Sequence, residues 1–386
     1  MNSADVFDVI IAGAGSVGTP SAYFMAKAGL KVLVIDPLPS TGQASNKHAI
    51  GGVRATHSDP AKIYLCAKSI DILSSWQEAT GDDIEWQRGG YSFVAYNPQV
   101  KSTLIDLLAV QKGLGLNIDW LDRNQFIDLV PDINPEGLLG GTFSPDDGSA
   151  SPLKCSFSFY SQAEKMGARF HFNERILAVE AQGGRIQGVR TDSGRYACRF
   201  FLNAAGSWAG PLAATSGIDL PIKPDSHEAG ITEAVQPLFS PMIVDIRERP
   251  GSANFYFYQH PSGKIIFCVT PNPQVWGIHD QDSSSFLPLA CQRLVEIMPK
   301  LANCRVRRTW RGSYPMTPDG SPILGKVPGF EGYLLAVGMC GQGFMLGPGV
   351  ASLMTSLVTD ALTAEQNACL ETLRLERQFT GVEKLK

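Results

Sequence analysis

With 386 residues the chain is too long for one compact core and suits two lobes, and its 44 % hydrophobic content is ordinary for a soluble globular protein. The 33 basic and 37 acidic residues leave a formal charge of −4, so no basic field exists for nucleic acid or an anionic membrane. Its eight cysteines (Cys66, Cys155, Cys198, Cys268, Cys291, Cys304, Cys340 and Cys369) show neither a CxxC nor a Cys/His ligand spacing; they read as reduced, mostly buried thiols, with no metal site.

The first element is an apolar strand over residues 6–12 that runs into Gly13-Ala14-Gly15-Ser16-Val17-Gly18. Gly13 allows the tight turn, Gly15 lets backbone N–H groups approach a pyrophosphate, and Gly18 lets the next helix pack close to the strand. Because this strand begins almost at Met1, no room is left for a signal peptide, and a cytoplasmic location is expected. Residues 16–28 have helical spacing, Gly29 sits where a C-cap belongs, and residues 31–35 read as a second buried parallel strand. Asp36 closes that strand. An acidic side chain there accepts from a ribose 2′-hydroxyl and repels a 2′-phosphate, so the expected ligand is an unphosphorylated adenine dinucleotide.

A loop over 37–52 leads to a helix over 59–80 with Ile63, Ala67, Ile70, Leu73 and Trp76 on one face. Residues 89–95 alternate like an antiparallel strand, and a helix over 98–114 follows. The chain returns at a small-residue turn, 148–151, ahead of a helix carrying Cys155, Phe159, Tyr160 and Ala163. Strands are expected over 169–172 and 176–180; after the Gly183-Gly184 turn come short meander strands over 186–190 and 195–198, then an apolar strand over 200–206. A second excursion over 219–314 is rich in strands (242–245, 254–259, 264–269) and reads as an antiparallel sheet. Last come a strand over 332–338, a glycine loop, and a helix over 349–362. No charge falls between Glu331 and Asp360, yet Gly338, Gly341, Gly343, Gly347, Pro348 and Gly349 would interrupt a spanning helix, so no transmembrane span is expected.

Three glycine-bearing strand ends, at 13–18, 203–209 and 338–344, mean that the nucleotide domain is assembled from distant segments. The fold class is α/β: a Rossmann-like domain built from discontinuous segments, joined to an α+β substrate domain with an antiparallel sheet. The pattern resembles the D-amino-acid-oxidase-like flavoproteins, among them sarcosine oxidase β-subunits, glycine oxidases and dye-linked proline dehydrogenases. Residues 45–54, the pair Arg175-Ile176 and residues 311–322 sharpen the likeness. It implies FAD as cofactor, with residues 1–84, 145–218 and 315–386 forming the FAD-binding domain and residues 85–144 and 219–314 the substrate-binding domain.

The FAD-contacting residues implied are Gly13, Gly15, Ser16, Val17, Gly18 and Asp36 at the nucleotide, with Ile176 offering backbone contacts to adenine. Ser45, Asn46, Lys47 and His48 would lie beside the flavin ring; Ala204, Ala205, Gly206 and Trp208 form the middle turn. Gly338, Gly341, Gln342, Gly343, Phe344 and Met345 form the last, whose N–H groups can face the N1/C2=O edge where charge develops on reduction.

By the same resemblance Arg54 grips a substrate carboxylate. Met345 stands where monomeric sarcosine oxidases have a second clamping lysine and Gln342 where they have a histidine, so a bulkier or more apolar amino acid than sarcosine becomes plausible. Gln342 is kept with Arg54, Tyr258 and His260 in the catalytic set, and Tyr256 is a further candidate for polar grip. No cysteine lies near Gly312, which removes the cysteinyl flavin linkage; His48 is the one candidate for a histidyl linkage. The implied activity is oxidation of the carbon–nitrogen bond of an amino acid or amine (sarcosine, glycine, proline or D-amino-acid type) to an imine by hydride transfer to flavin N5. A 2-hydroxy-acid dehydrogenase of the same fold and a flavin-carrying subunit of a multi-subunit dehydrogenase stay open. So do the electron acceptor (oxygen, a quinone or a partner protein) and a homo- or hetero-oligomeric state.

Overall fold

The computed structural model describes residues 6–381 and 383–385. In the first of two eight-stranded sheets, Val6–Ala12 pairs in parallel with Val32–Asp36 on one side and with Arg195–Asn203 on the other. The parallel run continues outward to Arg169–Phe172 and, at the opposite side, to Phe330–Val337. The central strands Val6–Ala12 and Val32–Asp36 and the end of Phe330–Val337 read as near-continuous apolar runs because both of their faces are covered, whereas Arg169–Phe172 at the edge has no buried residue. One face packs on the helices Gly18–Lys27, Pro60–Ser74, Pro152–Lys165 and Gly343–Val358, and the other on a layer that includes Val179, Ile186, Val189, Ala209 and Ala213.

Three expectations change here. The two strands expected over 195–198 and 200–206 are one, Arg195–Asn203, whose start pairs antiparallel with Arg185–Thr191 and whose end joins the parallel sheet. The helix expected over 59–80 breaks at Ser75 into Pro60–Ser74 and Trp76–Thr80, where the Ser75 hydroxyl donates to the Asp71 carbonyl at 2.7 Å. The last long helix starts at Gly343 rather than 349 and runs to Val358 with Pro348 inside it. Its glycines serve packing: a Cβ on Gly347 or Gly349 would fall 1.9 Å from the Ser16 carbonyl oxygen or 2.0 Å from that of Leu65.

The second sheet gathers Tyr91–Ala95, Asp119–Asp122 and Gly140–Ser144 with Lys223–Ala234, Met242–Asp245, Gly251–Gln259, Lys264–Asn272 and Val306–Met316. It is antiparallel except where Met242–Asp245 runs parallel to Tyr91–Ala95. All five residues of Tyr91–Ala95 are buried, against the alternation expected, because apolar clusters lie on both faces of this sheet. We propose the domain limits given above as the working partition; Val306–Met316 crosses the one at 314/315 by two residues. Among the described residues no helix is long and apolar enough to cross a membrane, and no group of histidines, cysteines and carboxylates could hold a metal ion.

Candidate active site

A cavity of about 780 Å³ reaches from the ends of the parallel strands to the second sheet, within the size range of roughly 300–1,000 Å³ usual for ligand sites. Its nucleotide end is mostly main chain. Gly13 follows the first strand with its N–H on the Ile35 carbonyl at 2.9 Å, and the helix Gly18–Lys27 begins without a side-chain cap. Thr19 N–H already donates to the Gly15 carbonyl at 3.1 Å and Pro20 has none, so the loop Gly15-Ser16-Val17 ahead of the helix is the main chain that lines the cavity. A Cβ on Gly18 would stand 1.8 Å from the Gly13 carbonyl oxygen, so only glycine lets helix and loop meet. Asp36 accepts from the Ala14 N–H at 2.7 Å and the Leu38 N–H at 2.8 Å, while burial pushes its carboxyl above the ordinary value.

Farther in, the turn Ser45–His48 is pinned by Asn46, whose Nδ2 donates to the Pro152 carbonyl at 3.0 Å. Opposite it, Gln342 stands at the N-terminus of Gly343–Val358, again without a side-chain cap. Gly341 has φ +80°, and a Cβ there would lie 2.1 Å from the Tyr314 ring, so its missing side chain lets the loop rest on that ring. The buried Asn46 Oδ1 and Gln342 Oε1 have no hydrogen-bond partner within the protein. Two uncapped helices and two orphaned acceptors along one cavity fit a long polar coenzyme such as FAD.

Side chains make the other end. The hydroxyls of Tyr256 and Tyr314 lie 2.8 Å apart, and burial pushes both phenols well above their usual pKa, so they act as neutral hydrogen-bonding groups. His227 stacks on Tyr314 with ring centroids 3.8 Å apart, and its Nε2 lies 3.0 Å from Asp225 Oδ2. Burial lowers the imidazole below its ordinary pKa more than Asp225 raises it, and its buried Nδ1 has no partner within the protein. Arg54 is buried with its guanidinium carbon 5.7 Å and 5.1 Å from the Tyr91 and Phe93 ring centres; Nη1 donates to the Thr56 carbonyl and meets His57 Nδ1 at 3.2 Å, and Nη2 donates to the Leu385 carbonyl.

The cavity collects most residues singled out in the sequence. Gly13, Gly15, Ser16, Val17 and Asp36 line it, as do Ser45, Asn46, His48 and Arg54. Ile176, Ala204, Ala205, Gly206 and Trp208 border it from the first sheet, and Gly341, Gln342, Gly343, Phe344 and Met345 from the last loop. Five stand apart. Gly18 and Gly338 act through packing, the latter with φ +68° and Thr317 Cγ2 2.5 Å from where a Cβ would be. Lys47 is the exposed member of its turn. Tyr258 sits two residues beyond Tyr256, about 7 Å along the strand, and its hydroxyl donates to the Ile50 carbonyl at 2.6 Å. His260 lies past the strand end, with Nδ1 2.9 Å from Ser262 Oγ. Tyr258 and His260 border a separate cavity of about 260 Å³, so neither reaches the main one.

Asp225 and His227 were not singled out, and Tyr314 was noted only within the stretch 311–322, with no role of its own. The signal was an Asp-x-His spacing, which puts both side chains on one strand face, but the polar stretch 223–234 gives no apolar alternation to mark a strand.

The parallel sheet, the glycine loop and the acidic strand end define a dinucleotide-binding protein. The chain belongs to the FAD dependent oxidoreductase family, whose sequence profile matches residues 8–357, and FAD is its cofactor. Among known proteins it is similar to the hydrogen cyanide synthase subunit HcnC of Pseudomonas protegens, with 26 % identity over 97 % of this chain and 96 % of that one. It is 24 % identical to the glycine oxidase of Bacillus licheniformis over 91 % and 93 % of the two chains. The L-proline dehydrogenase structure from P. horikoshii superposes with a TM-score of 0.89 at 25 % identity, covering 97 % of this chain and 98 % of the other.

Proposed function

We propose that this enzyme oxidises the carbon–nitrogen bond of an amino acid, a secondary or primary amine of the sarcosine, glycine, proline or D-amino-acid type. The observation that carries the reading is one cavity with a dinucleotide cradle at one end and Arg54, His227, Tyr256 and Tyr314 at the other. Bound FAD supplies two-electron oxidation of the carbon next to the nitrogen, giving an imine that water hydrolyses. In this reading the planar fork of Arg54 holds the substrate carboxylate and so fixes the adjacent carbon. Neutral His227 offers Nδ1 as an acceptor to the amine N–H, with Asp225 holding the proton on Nε2. Met345, with no charge to offer, leaves Arg54 as the single clamp and favours a substrate with apolar bulk. Relatives named for glycine oxidation and proline dehydrogenation support the substrate class.

Anaerobic mixing of the yellow protein with sarcosine, glycine, proline, D-amino acids and 2-hydroxy acids tests it. Bleaching of the flavin band by an amine, with none by the hydroxy acids, is expected; the reverse selectivity overturns the reading. Oxygen uptake against dye reduction then separates an oxidase from a dehydrogenase.

A second reading, that the chain works as a subunit of a larger dehydrogenase, is favoured by Leu153 and Phe157, 53 % and 63 % exposed and four residues apart on the helix Pro152–Lys165. The relative HcnC is itself named a subunit. Activity of the monodisperse chain with a dye decides between the two.

A further inference from the structure

The last described residues, 383–385, are folded into the protein behind Arg54. Glu383 and Leu385 are 4 % and 0 % exposed. Glu383 Oε2 lies 2.9 Å from Lys62 Nζ, both side chains fully buried, and 3.7 Å from His57 Nδ1. Its Oε1 accepts from the Ser58 N–H and hydroxyl at 2.9 Å and 2.7 Å and from the Leu385 N–H at 3.0 Å. Ser58 Oγ in turn accepts from the Lys384 N–H at 2.9 Å. Glu383 thus fixes the fold of its own segment, and that fold delivers the Leu385 carbonyl to Arg54 Nη2.

Two buried cations, Arg54 and Lys62, meet here, and the other buried carboxyl, Asp147, is pushed by burial up to about 6. Burial also works against the charge on Glu383, but the neighbouring His57, Lys62 and Arg54 outweigh it and hold the carboxylate well below its usual range. Thr56, His57 and Leu385 together take three of the five N–H donors that a guanidinium carries. Those three contacts set the plane of the fork.

We infer that Glu383 is a positioning residue for substrate binding: through the Leu385 carbonyl it orients the Arg54 guanidinium at the cavity wall, ready for a carboxylate. This rests on the reading of Arg54 as the carboxylate clamp.

The test uses the FAD-loaded full chain and two readouts: the dissociation constant of benzoate, a carboxylate without an amine, from the flavin difference spectrum, and KM against kcat for whichever amine bleaches the flavin. Glu383→Gln is expected to keep the wild-type ratio of flavin to protein absorbance, weaken benzoate and raise KM by about tenfold, and change kcat by less than about twofold. Ser58→Ala, which removes one hydroxyl and leaves every charge, shifts the same quantities in the same direction by about threefold and serves if Glu383→Gln fails to fold. Unchanged benzoate affinity and KM in the folded variants, while Arg54→Met loses benzoate, overturns the positioning role and leaves the Arg54 clamp standing. Lower kcat or flavin content with unchanged carboxylate affinity marks a structural part only and also overturns it. Benzoate affinity unchanged in Arg54→Met fells the clamp itself, and the inference with it.

Discussion

At one end of the cavity the surface offered to a ligand is main chain: loops kept open by Gly13 and Gly18, two helix starts without caps, and one carboxylate at a strand end. At the other it is side chains brought from distant parts of the chain, Arg54, Tyr91, His227, Tyr256 and Tyr314. The first end grips by geometry that a few adjacent residues specify, and any ligand with a diphosphate meets the same N–H groups. The second grips by chemistry, and each side chain there is set by its own second layer of partners. Damage at the two ends should therefore look different: loss of the coenzyme at one, loss of substrate discrimination with the coenzyme retained at the other.

The sharpest way to break that contrast is Gly18→Val. Its Cβ cannot coexist with the Gly13 carbonyl oxygen 1.8 Å away, so the loop must move. Purified protein is expected nearly colourless, with activity down by more than about a hundredfold; a normal flavin spectrum would place the grip elsewhere. Next in size is Arg54→Met, measured as KM for the bleaching amino acid. Losing a charge-assisted pair of hydrogen bonds costs about 1.5–3 kcal/mol, so KM should rise between tenfold and a hundredfold while the flavin absorbance stays. Loss of flavin in this variant would mean that the two ends are not separable.

The same contrast explains how much could be read from the sequence. The nucleotide strand and loop, Asp36 and the middle and last turns are contiguous motifs, and the residues named there line the cavity, apart from Gly18 and Gly338 at its packing layer and exposed Lys47. The substrate end depends on register. Tyr256 faces the cavity whereas Tyr258 and His260, one or two strand steps on, have passed it, and no local pattern marks where along a strand a cavity stops. His227 and Tyr314 face each other because Lys223–Ala234 and Val306–Met316 pair with His227 opposite Gly312, a match between residues 85 positions apart that periodicity in either segment leaves open. Glu383 was silent for the same reason: a glutamate near the end of a chain reads as solvent-exposed until Lys62 is placed beside it.

A smaller test at the substrate end is Tyr314→Phe, which removes one partner of the 2.8 Å phenol pair and keeps the ring under His227. A neutral hydrogen bond is worth about 0.5–1.5 kcal/mol, so kcat/KM is expected to fall about threefold to tenfold with the flavin retained. No change would reduce the pair to packing.

The smallest effect near neutral pH, and the most specific, concerns His227. Burial lowers its pKa below the ordinary 6.5, Arg311 pushes the same way, and Asp225 opposes both. The imidazole is therefore mostly neutral above pH 6.5, and this group's contribution to the slope of kcat/KM fades towards pH 8. As pH falls through the lowered pKa, Nδ1 takes a proton and stops being an acceptor, so kcat/KM falls on that side only. Asp225→Asn removes the one influence that favours the imidazolium, so the acid limb should move to still lower pH, while His227→Asn should abolish it. An acid limb at or above pH 6.5, or one that moves upward in Asp225→Asn, would show that the amine is received by a different group and that the side-chain end of the cavity has been assigned the wrong chemistry.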